Sequence, residues 1–192
     1  ESRFTQAHLR RSLLSFAKLI SYTPKAASAA TVDLTLQLAA PPVGDVTIAA
    51  GDTFRTLEIT DPVVFQALAD VTILSGANPP IVMFTIENSE DVAESTVSSN
   101  LINQEYELQR TPYVDGSLSV SAANGAYTVV ADLLDSTSTD RHATLTVDEF
   151  DRAKVRFGND VNGAIPQGVI TLDYRIGGGA DGNVEPNSVR RA

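Results

Sequence analysis

Alternation with a period of two runs through this chain more insistently than any other pattern. In TVDLTLQL, Val32, Leu34, Leu36 and Leu38 interleave with Thr31, Asp33, Thr35 and Gln37 without a fault. In VITLDYRIGG, Ile170, Leu172, Tyr174 and Ile176 face one way and Thr171, Asp173 and Arg175 the other. Successive side chains of a strand point to opposite faces, so each run predicts a strand with one buried face. VTIAAGDTF predicts a strand broken at Gly51, and short strands follow at Val71 to Leu74, Ile81 to Ile86 and Tyr106 to Leu108, punctuated by Gly76, Pro79 and Pro80. SLSVSAANGAYTVV predicts a hairpin at Asn124-Gly125, because both residues tolerate positive φ. ADLLDS predicts one helical turn, and ATLTVDE and AKVRFG two more strands.

One segment breaks the period. In residues 4–20, FTQAHLRRSLLSFAKLI, the apolar residues Leu9, Leu13, Phe16 and Ile20 recur at helical spacing, and Pro24 opposes continuation. A lone helix cannot bury such a stripe, so it is the candidate assembly contact. The fold class expected is therefore mainly β (α+β): an amphipathic N-terminal helix over 1–25, a first β-rich module over 26–100, a second over 101–180, and an exit linker over 181–192. The division rests on the polar, weakly periodic stretch 88–104.

The densest cluster of turn residues is VRFGNDVNGAIPQG, Val155 to Gly168. Phe157 ends a strand facing inward. Gly158 and Gly163 supply backbone angles closed to other residues, and Asn159, Asp160 and Asn162 can bond their own backbone. Pro166 stiffens the return. The expectation is a wide, rigid β-hairpin rather than a catalytic loop.

Composition narrows the function. With 43% hydrophobic residues the 192-residue chain can build a core. It has no cysteine, hence no disulfide, thiol nucleophile or zinc–thiolate site. No run reaches the roughly 18–20 apolar residues of a membrane span. The formal charge is −10, and from Ala26 to Asp151 the basic residues are Arg55, Arg110 and Arg141 alone. An acidic body of this kind disfavours nucleic acid as a partner. The chain opens at Glu1 rather than Met, as a piece of a longer protein would.

Chemical motifs are weak. GGGADG, Gly177 to Gly182, matches a dinucleotide-binding spacing, yet NVEPNSVRR behind it has Pro186 and no apolar helical stripe. The acids Asp132, Asp135 and Asp140, and Asp148, Glu149 and Asp151, lie among loop residues without calcium-loop spacing. His8 and His142 read as surface residues, and no nucleophile-elbow motif supports a Ser-His-Asp triad at His142. No catalytic residue, cofactor or metal is expected.

Several of these residues together resemble a known pattern. Phe157-Gly158-Asn159, Gly163, Pro166 and Gly168, then Asp173-Tyr174-Arg175, then Gly177-Gly178-Gly179 and Gly182-Asn183-Val184 are similar to the signature of the baseplate J-like family, the baseplate wedge proteins of contractile phage tails and related injection machines. That signature is a strand ending in Phe-Gly-Asp/Asn-Gly, a Gly-x-x-Pro turn, a Val-x-Tyr-Arg strand and a Gly-Gly-Gly-x-x-Gly-Asn run. Ala26 to Leu36, VTIAAGDTF, QRTPYVDGSLSV and STDRHATLTVDEFDRAKVRFG also resemble family segments, so the similarity covers most of residues 22–184. Asp160 stands where the family usually has glycine, which predicts a wider turn or one held by the Asp side chain. Ala49 stands where proline is common.

The resemblance implies a mechanical role: a virion tail-baseplate subunit, assembled in the host cytoplasm. Its partners would be other wedge subunits, a second copy of itself, and hub and sheath proteins, with no membrane insertion. Two other readings compete. A secreted β-sandwich binding module, for glycan or protein, is opposed by the sparse aromatics and absent Trp. A hydrolase would use His142 with a nearby acid.

Overall fold

The computed structural model describes residues 26, 28–57, 62–148, 152–178, 182–185 and 188–191. The expected N-terminal helix, with Leu9, Leu13, Phe16 and Ile20, lies outside the described residues. Fourteen strands are present among those described, and the mainly β expectation holds. The chain forms two compact units. One runs from Ser28 to Asp91 and takes in the chain again from Gly177; the other is Val92–Ile176. The division falls at Asp91–Val92, inside a strand and within the polar stretch 88–104 that suggested a boundary.

The unit containing Ser28–Asp91 is built on β1 (Thr31–Gln37), β3 (Thr53–Thr56), β4 (Val64–Ala67), β6 (Ile81–Glu87) and β14 (Val189–Arg191), in the sheet order β1-β6-β4-β3-β14. A separate two-stranded ladder pairs β2 (Val46–Ile48) with β5 (Val71–Ile73). VTIAAGDTF breaks as expected: Gly51 takes φ 88°, and the two halves enter different sheets. Ile48, Phe54, Phe65, Ala67 and Ile86 form the core, with Val32, Leu34, Leu36 and Phe84 half-buried against it. The tail, expected to be an exit linker over 181–192, instead carries β14, which places Val189 opposite Thr56.

The second unit holds most of a seven-stranded sheet. Its strands are β7 (Ser89–Val97), β8 (Glu105–Glu107), β9 (Ser119–Ala122), β10 (Gly125–Val130), β11 (His142–Val147), β12 (Ala153–Phe157) and β13 (Val169–Gly177). Their order is β7-β13-β9-β10-β11-β12-β8. β7 and β8 end this order, yet Gln109 N–H donates to Glu94 Oε1 at 3.1 Å and the Tyr106 hydroxyl to the Val97 carbonyl at 3.3 Å. The sheet therefore curls until its edges approach, and its inner side chains meet in one core.

That core follows the alternation in the sequence. Ile170, Leu172, Tyr174 and Ile176 are all buried, as are Ala153, Val155 and Phe157 on β12, while Lys154 and Arg156 are exposed. Phe157 has no exposed surface, and Tyr127 meets its ring edge-on, with centroids 5.2 Å apart at 86°.

A hairpin forms one residue earlier than expected: Gly125, at φ 121°, pairs with Ala122, so Ala123 and Asn124 make the turn. The polypeptide then does something local signals did not foretell. β10 and β11 run parallel, Thr128 opposite His142, joined by irregular chain where ADLLDS had suggested a helical turn.

Truncating Phe157 removes buried area and opens a cavity that the edge-on tyrosine cannot fill. Phe157→Ala is expected to cost about 3–5 kcal/mol in urea unfolding. An unchanged midpoint would show that this ring does not anchor the core.

Candidate functional site

The segment 158–168 is not the hairpin its turn residues suggested. β12 is flanked by β11 and β8, whereas β13 is flanked by β7 and β9, so the two strands never pair. The segment crosses the end of the curled sheet instead. Turn chemistry is local, but the partner of a strand is chosen by the whole fold, and here β9, β10 and β11 intervene.

The crossing is tied down along its length. Gly158 O accepts from Asn103 N at 3.0 Å, and Gly163 N and Ala164 N donate to the Thr137 and Asp140 carbonyls at 3.1 and 2.8 Å. Asn124 Nδ2 donates to Ile165 O at 3.2 Å, and Ala123 N donates to Gln167 O at 2.9 Å. Buried Pro166 accepts from the Ser98 hydroxyl at 2.5 Å, and Gly168 O accepts from Ser98 N at 2.8 Å. Three separate loops of the unit are thereby held by one segment.

Its internal form comes from two residues. Asn159 Oδ1 accepts from Val161 N at 3.0 Å and Asn162 N at 2.7 Å, closing the turn by side-chain mimicry of backbone. Asp160 sits at φ 68°, and its N–H donates to Gly163 O at 3.0 Å. So the position where the resembled family has glycine keeps a glycine-like backbone angle, and the side chain that holds the turn is that of Asn159. At Gly158 the reason for glycine is space: a Cβ there would lie 2.0 Å from Gly163 O.

Next along the chain, Tyr174 buries its ring while its hydroxyl donates a short hydrogen bond to Glu94 and accepts from Arg110 N at 3.0 Å. Burial, then the bond to the Glu94 carboxylate, pushes its pKa up to about 12. Arg175 bonds through its backbone to the Ser117 hydroxyl at 3.0 Å, and its carbonyl accepts from Val114 N at 2.9 Å. Gly177 and Gly178 take φ 132° and 95° and press against Asn88 and Ser28: added Cβ atoms would lie 2.5 and 2.6 Å from the carbonyl oxygens of those residues. Buried Gly182 packs on Ala30, and Asn183 is exposed. Gly179 lies outside the described residues. Among those described, no α-helix follows the glycine run, so the phosphate-binding context is not present there.

The other candidates of the sequence separate. His142 Nδ1 lies 2.9 Å from the Ser136 hydroxyl, a pair that no motif announced, but Ser136 is buried. Asp140 turns to Thr137, accepting from its N–H and hydroxyl at 2.8 Å each, and these bonds hold its carboxyl below the usual range. The arrangement lacks the exposed nucleophile and the acid-oriented imidazole of a triad. Asp132 caps Leu134 N at 2.9 Å, and Asp148 pairs with Arg152 at 2.7 Å. Glu149, Asp151 and His8 lie outside the described residues. Among the described residues no group of three His, Cys, Asp or Glu side chains is placed to hold a metal.

No protein-family model matches this chain, and no curated protein sequence matches it. Among the described residues no helix is long and apolar enough to cross a membrane.

Two outcomes test this geometry. Gly158→Ala forces a methyl into the Gly163 carbonyl and is expected to destabilise by about 1–3 kcal/mol in urea, against a near-neutral Asp160→Gly at an angle glycine adopts freely. Equal effects of the two would refute the close approach.

For Tyr174, the folded pKa of about 12 exceeds the ordinary value near 10. Its stabilising contribution is therefore fully present below about pH 10 and is lost as pH rises from there through 12. Unfolding measured across that window should show a smaller alkaline decline in Tyr174→Phe than in the parent. Parallel declines would sink the assignment.

Proposed function

We propose that this chain is a structural subunit of a contractile-tail baseplate wedge, acting by shape and assembly and not by turnover. In this reading it joins other wedge subunits and a second copy of itself in the ring around the central hub. The ring passes conformational change to the sheath. Its place is the virion tail baseplate, and it uses no cofactor.

The observation that carries the reading is the left-handed angle of Asp160, 68°, at the position where the resembled family has glycine. Aspartate is one of the few side chains that adopts this left-handed angle readily, so it can stand in for the family's glycine without changing the path of the turn. Supporting it, the other signature residues serve chain geometry. Gly158, Gly177 and Gly178 lie where a Cβ would strike backbone, Pro166 is buried in the crossing, and Tyr174 ties β13 to Glu94. Signature residues that all serve chain geometry fit a part that works by its shape.

The test is particle composition and imaging. Purified tails of the source phage or injection particle should contain this chain by mass spectrometry, with density for it in the baseplate ring. Intact baseplates that lack it would end the proposal.

A further inference from the structure

β1 ends the five-stranded sheet, and its ladder with β6 determines which backbone groups face outward. Asn88 N donates to Ala30 O at 2.8 Å, and Leu38 N to Pro80 O at 3.0 Å. Between these bonds Val32, Leu34 and Leu36 stand opposite Ile86, Phe84 and Val82. Hydrogen-bonded and non-hydrogen-bonded pairs alternate in an antiparallel ladder. The even-numbered residues of β1 therefore bond to β6, and Thr31, Asp33, Thr35 and Gln37 direct N–H and C=O away from it. No strand among the described residues pairs with that side.

The other sheet edges are short or engaged. β2, β5, β8 and β14 have three residues each. β8 is also flanked by charge, Glu105 and Glu107 lying 3.6 Å from Lys154 and Arg152. β7 is long but faces β8 across the curl, joined through Glu94 and Gln109. Among the described edges β1 alone combines seven residues, regular alternation, and no proline or lysine. Such an edge is a template for another strand. Its inward row is also incompletely covered, since Val32, Leu34 and Leu36 stay half-buried where Phe54 and Phe65 are buried.

We propose that β1 pairs antiparallel with β1 of a second copy of this chain, about a two-fold axis at Leu34. The strand TVDLTLQ is symmetric in polarity about that residue. Centred there, Thr31 meets Gln37 and Asp33 meets Thr35 in the hydrogen-bonded pairs, which are the residues whose backbone groups face outward. Leu34 meets Leu34, and Val32 meets Leu36, in the non-hydrogen-bonded pairs, where side chains come closest. The apolar row of one copy continues into that of the other. Charge favours this register over a neighbouring one: slipping the axis to Asp33 would set two carboxylates opposite each other. The contact is isologous and closes on itself, giving a dimer and not a fibre. The inference is argued from the edge of β1 and gives a surface to the association with a second copy in the proposed reading; tested on the chain alone, it can fail while that reading stands.

Thr35 is exposed, and its N–H points outward, so its substitution tests the pairing with the β1–β6 ladder left in place. The full chain should sediment as a dimer. Thr35→Pro removes an outward donor, and Thr35→Asp places a carboxylate opposite Asp33 at both symmetric pairs. Each is expected to weaken dimerisation about tenfold or more. Thr35→Lys, opposite Asp33, should keep the dimer. Circular dichroism checks that each variant is folded, and Thr35→Asp decides the matter if the proline variant is not. A wild-type chain that stays monomeric, or a dimer whose dissociation constant folded Thr35→Asp leaves unchanged, overturns the proposal.

Discussion

A curled sheet exposes the ends of its strands, and the loops there carry backbone groups that must find partners. In the unit Val92–Ile176 that requirement is met by one crossing segment, 158–168, which bonds to the loops at Ser98–Asn103, Ala123–Asn124 and Thr137–Asp140. The rest of the unit depends on it. Phe157, the last inward residue before the crossing, seals the core beneath. The β13 row that fills the core begins only where the crossing delivers the chain to the far side of β9. Were the segment free to swing, those loops would lose bonds together and Phe157 would lose its cover.

How much of this the sequence disclosed depends on the range of the interaction concerned. Alternation is a short-range signal, and it correctly placed Ile170, Leu172, Tyr174 and Ile176 in the core and found the β9–β10 hairpin to within one residue. Glycine and asparagine at 158–163 correctly announced a sharp local path. What the same residues could not announce was the destination of that path. A hairpin and a crossing need the same bends, and the difference lies in whether β9, β10 and β11 pair between the two strands. The parallel β10–β11 pair was hidden for the same reason. So was the return of the chain's end as β14, since three residues carry too little periodicity to mark a strand. The split at Asp91–Val92 lies within the polar stretch 88–104 that suggested a boundary; what stayed hidden is that β7 runs through it unbroken, because its open side is polar.

The chemistry-bearing residues show the limit from the other direction. The sequence offered His142 and a scatter of acids without saying which would meet. The fold brings Ser136 to His142 and turns Asp140 toward Thr137, and each of these bonds stabilises the connection between β10 and β11. A parallel pair joined by a short irregular stretch has no helix to satisfy its backbone, so side chains take over that work. Polar residues of the kinds that catalysis uses are here the hydrogen-bond partners this connection needs.

Glu94 and Tyr174 extend the same logic to the sheet itself. Without closure, β7 and β8 would both be bare edges. The Glu94 carboxylate accepts from the Tyr174 hydroxyl on one side and from Gln109 N–H on the other, linking β7, β13 and the chain beyond β8. Glu105 and Glu107 face Lys154 and Arg156 on β12 and Arg152 just before it, which gives the short edge a charged rim. Charge of this kind discourages edge-to-edge association. In the unit containing Ser28–Asp91 the long edge, β1, has a single carboxylate, and that one already accepts from Thr85 at 2.7 Å. The contrast between a defended edge and an open one in the same chain is what makes β1 the natural place for a second strand.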